Sequence, residues 1–219
     1  MKNDNTYRKT EIWYYMMITL LWIILMLLTP ACNSSSSLKE AVPADEIREG
    51  ISLKEAQELV SFPICIPSYV PSGIKKKPEI IYHANFGDPQ ESDIRLQFHS
   101  LDSSKIAVEI YQFYDPEASI PTELADQVRD FYVRRLLAWI VGWPKTDEVW
   151  KQGQIVSNTT KLHNNNVEGW LFEIMEPISL QANMIEWRDA PVTYQVFTYL
   201  SVEDAKSIIE SIPKITDCG

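Results

Sequence analysis

The sequence predicts an α+β fold in which helices flank an antiparallel sheet, preceded by an N-terminal signal or anchor helix. Three observations predict it. Segments of alternating apolar and polar residues are joined by short turns through the middle of the chain, which is typical of antiparallel strands. Capped amphipathic segments follow Ser52 and Ser201, near the two ends of this region. A charge-free apolar run occupies residues 12–28.

The apolar run allows two interpretations, because its length lies between a signal core of ~7–15 residues and a membrane span of ~20. Basic residues precede it, which favours an N-terminus inside the cell and the bulk of the chain outside. Ala31 and Cys32 follow it, as in a bacterial lipoprotein signal, although Pro30 departs from the residues preferred there. We therefore predict residues 1–31 to be a lipoprotein signal peptide, with Cys32 lipidated, or a retained single-pass anchor helix.

Both interpretations predict a protein held at the cell membrane on its extracytoplasmic face. Acyl chains on Cys32 would contact membrane lipid, and two chains anchor a protein stably where one does not. Residues 32–50 are polar and lack aromatic residues, which predicts a flexible tether. Residues 51–219 have the length of one domain. The formal net charge of −10 argues against nucleic acid as a partner.

Cys65 and Cys218 are the two cysteines outside the proposed anchor. An extracytoplasmic location permits a disulfide between them. Sequence does not fix their distance, so two free thiols remain the alternative.

The first half of the domain contains one short helix and three predicted strands. Ser52 and Glu55 form a capping box, and Pro63 stops the helix. Residues 62–73 should run extended to a turn, because prolines punctuate them. Strands are predicted at residues 79–84, 93–99 and 106–114, the second with clear alternation.

A longer helix is predicted at residues 122–140, capped by Thr122 and ended by Gly142 and Pro144. Five residues fall at helical spacing, and the apolar ones among them indicate the buried face of a core helix. They are Leu124, Val128, Phe131, Arg135 and Ala138. Its end is unusually apolar, which indicates a core helix or, alternatively, an exposed partner or membrane-interface patch. The residues of that candidate patch are Arg134, Arg135, Trp139 and Trp143.

The second half repeats the strand pattern. Strands are predicted at residues 154–162, 167–175, 184–187 and 192–199, with turns at residues 164–166 and 188–191. The last helix begins after Ser201, carries an apolar stripe from Val202 to Ile212, and is ended by Pro213.

The two ends of the domain carry motifs that resemble a bacterial domain-of-unknown-function family, number 4367. The opening motif has a short helix, Phe62-Pro63, and the run 67–73, Pro-Ser-Tyr-Val-Pro-Ser-Gly. The closing motif has the tryptophan strand 185–187, the Val-Thr-Tyr strand 192–194, and the final helix through Glu210-Ser211-Ile212. The resemblance covers about the first 60 and the last 50 residues of the domain and does not extend to residues 120–156. The resemblance implies an extracytoplasmic lipoprotein or the outer domain of an anti-sigma-like regulator, and it implies no active site.

No residue pattern predicts catalysis, a metal site or a cofactor. The histidines His83, His99 and His163 lack metal-motif spacing, and His83 and His99 are expected to face solvent on neighbouring strands. No phosphate-binding glycine loop occurs. The acidic strand residues are expected to be solvated; they include Glu173, Glu176, Glu186 and Asp189.

The sequence thus favours a membrane-anchored binding or sensing module without catalysis. Its partner would be an unknown protein or a ligand of the cell envelope. Two alternatives are an accessory subunit of a membrane complex and a carboxylate-based hydrolase of the cell envelope. The first requires Trp139 and Trp143 to be exposed, and the second requires two acids to converge in a cleft.

Overall fold

The computed structural model describes residues 46–84, 92–117, 121, 123–152, 155–164, 167–176 and 181–218, without the side chains of residues 163, 164, 167 and 168. The predicted anchor helix, Cys32 and Thr122 lie outside these ranges. None of the helices within the described ranges is long and apolar enough to span a bilayer.

The described residues form eight strands, four α-helices and a short 3-10 helix at Ile215–Asp217. The strands are β1 Glu46–Glu49, β2 Glu79–Ala84, β3 Asp93–His99, β4 Ile106–Tyr114, β5 Val156–Asn164, β6 Val167–Glu176, β7 Ala182–Asp189 and β8 Val192–Thr198. The helices are α1 Leu53–Leu59, α2 Asp126–Val141, α3 Trp143–Lys151 and α4 Val202–Glu210.

All eight strands belong to one antiparallel sheet with the order β1-β2-β3-β4-β8-β7-β6-β5. Two four-stranded meanders, β1–β4 and β5–β8, therefore meet where β4 pairs with β8. Their last strands are the central pair, with Val108 opposite Thr198 and Tyr114 opposite Val192. This arrangement confirms the predicted α+β class with an antiparallel sheet.

Helix α1 forms where the capping box predicted it. The amide of Glu55 donates to Ser52 Oγ at 3.2 Å, and the amide of Ser52 donates to Glu55 Oε2 at 2.8 Å. These bonds satisfy two amides that the first helical turn leaves without helical partners. The strand β1 before it corrects the predicted tether: residues 46–49 pair with β2, so the proposed linker 32–50 extends too far.

The first face of the sheet carries the larger core. Strand alternation places Ile94, Leu96 and Phe98 on this face, and all three are fully buried. Helices α1 and α4 and the extended segment after α1 cover them. Trp187 and Tyr194 stack across β7 and β8 with ring centroids 4.7 Å apart.

The second face is covered by α2, which packs on β6 and β7, and α3 packs against α2. Its core comprises Val133, Leu136, Leu137, Phe172, Ile174, Ala182, Met184 and Phe197. The predicted buried face of α2 was wrong in part, since Val128 and Phe131 are exposed. Leu136 and Leu137 are the residues that point at the sheet.

Helix α2 begins at Asp126, four residues later than predicted, and Gly142 ends it with φ of +83°. The prediction missed α3. Pro144 does not end the helical region but lies in the first turn of α3, where the N–H that proline lacks would have no helical partner. Gly142 thus separates two helices because its positive φ turns the chain between them.

A disulfide links Cys65 to Cys218, with their Cα atoms 5.3 Å apart. It ties the segment after α1 to the residues after α4, across 153 positions of sequence. Cys65 is buried on the first face, where the Tyr194 hydroxyl lies 3.3 Å from its Sγ.

Candidate ligand cleft at the end of helix α2

A cleft of about 740 Å³ lies where the C-terminal end of α2 approaches the β3–β4 loop and the end of β8. This volume is within the usual range for small-molecule sites, roughly 300–1,000 Å³. The described residues that line it are Ser100, Ser103, Lys105, Ile106, Ala107, Trp139, Ile140 and Tyr199.

Backbone hydrogen bonds position the cleft wall formed by the β3–β4 loop and the end of β8. The amide of Ser100 donates to the carbonyl of Lys105 at 3.0 Å and closes the loop. The carbonyl of Ala107 accepts from the Thr198 hydroxyl at 2.9 Å and from the amide of Tyr199 at 3.4 Å. The loop and the strand end are therefore joined directly.

Aromatic rings from α2 and from the end of β8 also line the cleft. The ring centroids of Trp139 and Tyr199 are 4.5 Å apart, and Phe197 lies 5.8 Å from Trp139 on the buried side. Tyr199 is 48% exposed, so much of its ring faces solvent. Burial of the remainder raises the pKa of the Tyr199 hydroxyl, which stays neutral at physiological pH.

A buried carboxylate fixes the orientation of Trp139. The indole N–H donates to Glu109 Oε2 at 2.6 Å, and the Gln97 side-chain amide donates to Glu109 Oε1 at 2.8 Å. Glu109 is only 4% exposed. Hydrogen bonds to a charged acceptor in a poorly solvated place are stronger than neutral ones, so they restrict the indole ring.

A second buried carboxylate lies under α2, on β7. Glu186 Oε1 accepts from the Tyr132 hydroxyl at 2.7 Å, and Oε2 accepts from the Gln195 amide at 2.5 Å. Burial raises the pKa of the Glu186 carboxyl, while these two bonds and the nearby Arg135 oppose the rise. This corrects the expectation that Glu186 is solvated, because α2 covers it.

The two carboxylates do not form an acid–base pair. Glu109 and Glu186 lie on β4 and β7, with β8 between them, so their backbones are about 10 Å apart or more. Each accepts from neutral donors, and neither is among the described residues that line the cleft. This geometry gives no support to a carboxylate-based hydrolase.

The sheet face beside the cleft carries a polar row. Asp93 accepts from Arg95 at 2.9 Å and lies 3.0 Å from His83 Nδ1, and Arg95 lies over the Tyr111 ring at 4.9 Å. His99 is at the other end of β3, against Glu79. Within the ranges that the structure describes, no three metal-ligating side chains cluster, and His83 and His99 do not converge. The His163 side chain lies outside the described residues.

The four residues of the predicted patch have different surroundings. Arg134 pairs with Asp147 and lies over the Trp150 ring, whereas Arg135 is near enough to Glu186 to favour its charged form. Trp139 is half-buried in the cleft, and Trp143 is 66% exposed at the start of α3. The arginine–tryptophan patch as a partner surface therefore stays a prediction, and Trp139 is its member that lines the cleft.

Sequence reasoning missed Glu109 and Tyr199. Glu109 falls between Val108 and Ile110 in an alternating strand, which places it on the second face. That signal was readable, but nothing in the sequence indicated that α2 would cover this position.

No family model, curated protein or solved structure matches this chain. The resemblance to domain-of-unknown-function family 4367 therefore stays an expectation, and the functional argument depends on the cleft and on the sequence features.

Proposed function

We propose that this protein is a membrane-anchored extracytoplasmic binding module, without catalysis, that takes its ligand in the cleft lined by Trp139 and Tyr199. The observation that carries the proposal is the bond from Trp139 to Glu109. A buried carboxylate is costly unless it is paired, and here its hydrogen bonds hold the aromatic wall of a solvent-open cleft. Such rigid support is what a preformed ligand site requires.

The chemistry of the cleft favours a ligand with an apolar or ring-shaped part and a negatively charged group. The Tyr199 ring packs against Trp139 on one side, and its solvent-facing part offers a stacking surface. Lys105 forms no ion pair within the described part of the chain, so its ammonium is available to an anion. Ser100 and Ser103 add hydroxyl groups on the same side.

The extracytoplasmic location is supported by the lipoprotein-like sequence around Cys32 and by the disulfide. Disulfides persist outside the cytoplasm and are rare inside it. The family resemblance, as an expectation, points to the same location.

The anchor is tested by the intact mass of protein extracted from membranes. We expect a chain that begins at Cys32 and carries added lipid mass, and we expect Cys32→Ala to abolish that mass. A full-length chain without lipid would mean that a retained helix, and not lipid on Cys32, holds the protein at the membrane.

The cleft is tested with 8-anilino-1-naphthalenesulfonate, a probe that joins aromatic rings to one sulfonate. We expect saturable binding to the full chain, weakened about tenfold or more by Tyr199→Ala, since an aromatic contact and its buried area are lost. Tyr69→Ala is the matched control, because Tyr69 is equally exposed at 45% and does not line the cleft. Equal binding by both variants would refute the assignment of the cleft.

A further inference from the structure

A turn of the chain ahead of β2 packs against the β3–β4 loop at one end of the sheet. Gly73 has φ of +94°, a conformation that glycine adopts without strain, and its carbonyl accepts from the amide of Leu101 at 2.7 Å. The next residue, Ile74, pairs with Ser100 in an isolated bridge. These two contacts fix the turn against the loop.

The fixed turn leads directly into three consecutive lysines. Lys75, Lys76 and Lys77 are all exposed, and Lys105 at the far end of the β3–β4 loop is exposed as well. None of the four forms an ion pair with a residue that the structure describes. We call these four lysines, together with Leu101, the basic rim.

The basic rim differs in charge from the chain as a whole. Residues 73–79 and 99–105 contain four lysines against Glu79 and Asp102, a formal balance of +2, whereas the whole chain carries −10. One of these two acids, Glu79, lies 3.3 Å from His99 Nε2. An anionic surface would therefore attract this end of the domain and repel the remainder, so one orientation is favoured.

An apolar side chain stands among these lysines. Leu101 is 60% exposed, although its backbone amide is held by the turn. Tyr199, which is 48% exposed, lines the cleft together with Lys105. Lysines around an exposed apolar residue suit a lipid surface, where the charges contact headgroups and the apolar chain enters the boundary with the acyl chains. The leucine thus favours a bilayer over a purely ionic partner.

The chain that precedes the domain is long enough to permit this contact. Glu46 pairs with Ala84, at the end of β2 that lies away from the rim. Glu46 follows Cys32 by fourteen positions, and an extended chain of that length reaches at most about 50 Å. β2, with 6 residues, spans only about 20 Å. An anchor at Cys32 or before it therefore leaves the rim within reach of the bilayer.

We infer that the basic rim docks the domain onto the surface of a bilayer that contains anionic phospholipids. The lysine ammonium groups contact lipid phosphates, and Leu101 enters the boundary between headgroups and acyl chains. Docking sets the orientation of the domain and places the cleft, which shares Lys105 with the rim, next to the bilayer. The inference rests on the membrane anchor of the proposed function, but it does not depend on a ligand in the cleft.

The test compares the full chain in two kinds of nanodisc, one of phosphatidylcholine alone and one of equimolar phosphatidylcholine and phosphatidylglycerol. Co-elution with the discs reports the anchor, and amide hydrogen exchange reports docking. We expect the amides of residues 75–77 and 100–105 to exchange at least about fivefold more slowly on the phosphatidylglycerol discs, because each lysine near an anionic surface contributes about a fivefold factor. Salt at about 1 M should remove the difference, since the Debye length falls to about 3 Å.

Two double variants with the same net charge separate the rim from the general charge of the protein. Lys76→Glu with Lys77→Glu changes the rim, whereas Lys206→Glu with Lys214→Glu changes α4 and the segment after it. Lys214 lies at the opposite end of the sheet, since the residue after it donates its amide to Asp189 at the end of β7. We expect the first double variant to abolish the protection and the second to keep it.

Leu101→Ser should reduce the protection about threefold or more, because the apolar contact with lipid is lost. Ile47→Ser is its control, since Ile47 is 55% exposed on β1, away from the rim. Equal exchange on both kinds of disc, protection that survives the Lys76 and Lys77 changes, or equal losses in the two double variants would overturn the docking while co-elution leaves the anchor standing. A chain that co-elutes with neither disc would refute the anchor and the docking that rests on it.

Discussion

Trp139 of α2 donates its indole N–H to Glu109 of β4 at 2.6 Å, and this contact joins the helix to the centre of the sheet. Both residues belong to segments that are 30 positions apart in sequence. The bond fixes one wall of the cleft and also satisfies a carboxylate that is almost fully buried. Function and stability are therefore linked at this pair.

Trp139→Phe should lower the free energy of unfolding by about 1.5–3 kcal/mol, because the buried Glu109 side chain loses the indole N–H as a hydrogen-bond donor. Equilibrium urea unfolding of the protein in mild detergent measures this. Trp143→Phe is the control, since Trp143 is 66% exposed and should change stability by under about 0.5 kcal/mol. Similar losses of unfolding free energy in both variants would mean that the hydrogen bond to Glu109 adds little to stability.

Glu186→Gln should change the pH dependence of stability. Burial raises the native pKa of Glu186 above its usual value near 4.5, so the folded state holds the proton more tightly than the unfolded state. The protonated carboxyl of Glu186 therefore contributes to stability below the pKa of the unfolded state. This contribution is lost as pH rises through the pKa of the native state. We expect the wild type to lose stability relative to Glu186→Gln as pH rises from about 4 to 7.

Denaturant unfolding of both proteins at a series of pH values provides the comparison. The contributions of other titrating groups to the pH dependence cancel when the two unfolding free energies are subtracted. Glu176→Gln, at an exposed strand end, is the matched control variant. A wild type that gains stability over Glu186→Gln with rising pH would contradict the assigned direction of the pKa shift.

Reduction of the disulfide should destabilise the domain. The bond closes a loop of 153 positions, for which the chain-entropy relation gives up to about 5 kcal/mol. We expect dithiothreitol to lower the urea midpoint of the wild type and to leave that of the Cys65→Ala, Cys218→Ala double variant unchanged. A midpoint that does not respond to dithiothreitol, with complete reduction verified by alkylation and mass, would contradict this expectation.

Gly169→Ala should be strongly destabilising, because a Cβ atom there would overlap the carbonyl oxygen of Glu186 on the neighbouring strand. Backbone atoms cannot move aside as a side-chain end can, and overpacking of this kind costs about 1–3 kcal/mol or more. Gly50→Ala is the comparison, since a Cβ there meets no atom within 4 Å and only its φ of +65° is unfavourable. Thermal unfolding should rank Gly169→Ala as the less stable variant.

The strands were the easiest part of the fold to predict, and the helix faces were the hardest. The bounds of β2, β3 and β4 match their predicted ranges, because alternation and turn residues act locally. The apolar spacing of Val128 and Phe131 also looked like a core face, yet both are exposed. Which face of α2 is buried depends on how the helix crosses β6 and β7, and that is a tertiary property.

The candidate cleft could be predicted only in part for the same reason. The sequence marks Trp139 as an aromatic residue at the apolar end of a predicted helix. Alternation in β4 places Glu109 on the second face, but no local pattern predicts the roles of Glu109 and Tyr199, since these arise when β4 and β8 become neighbours under α2. Charge alone suggested that strand carboxylates would be solvated, and the cover provided by α2 reverses that for Glu186.

The pairing of β4 with β8 has a consequence for the order in which the chain can fold as it is made. The first meander is synthesised first, but the outer edge of β4 has no partner among the described strands until the last strand of the second meander follows. During that interval β4 is an open strand edge that can pair with other chains. We therefore expect the newly made polypeptide to need shielding by a chaperone until its final forty residues have been added, roughly one fifth of the chain.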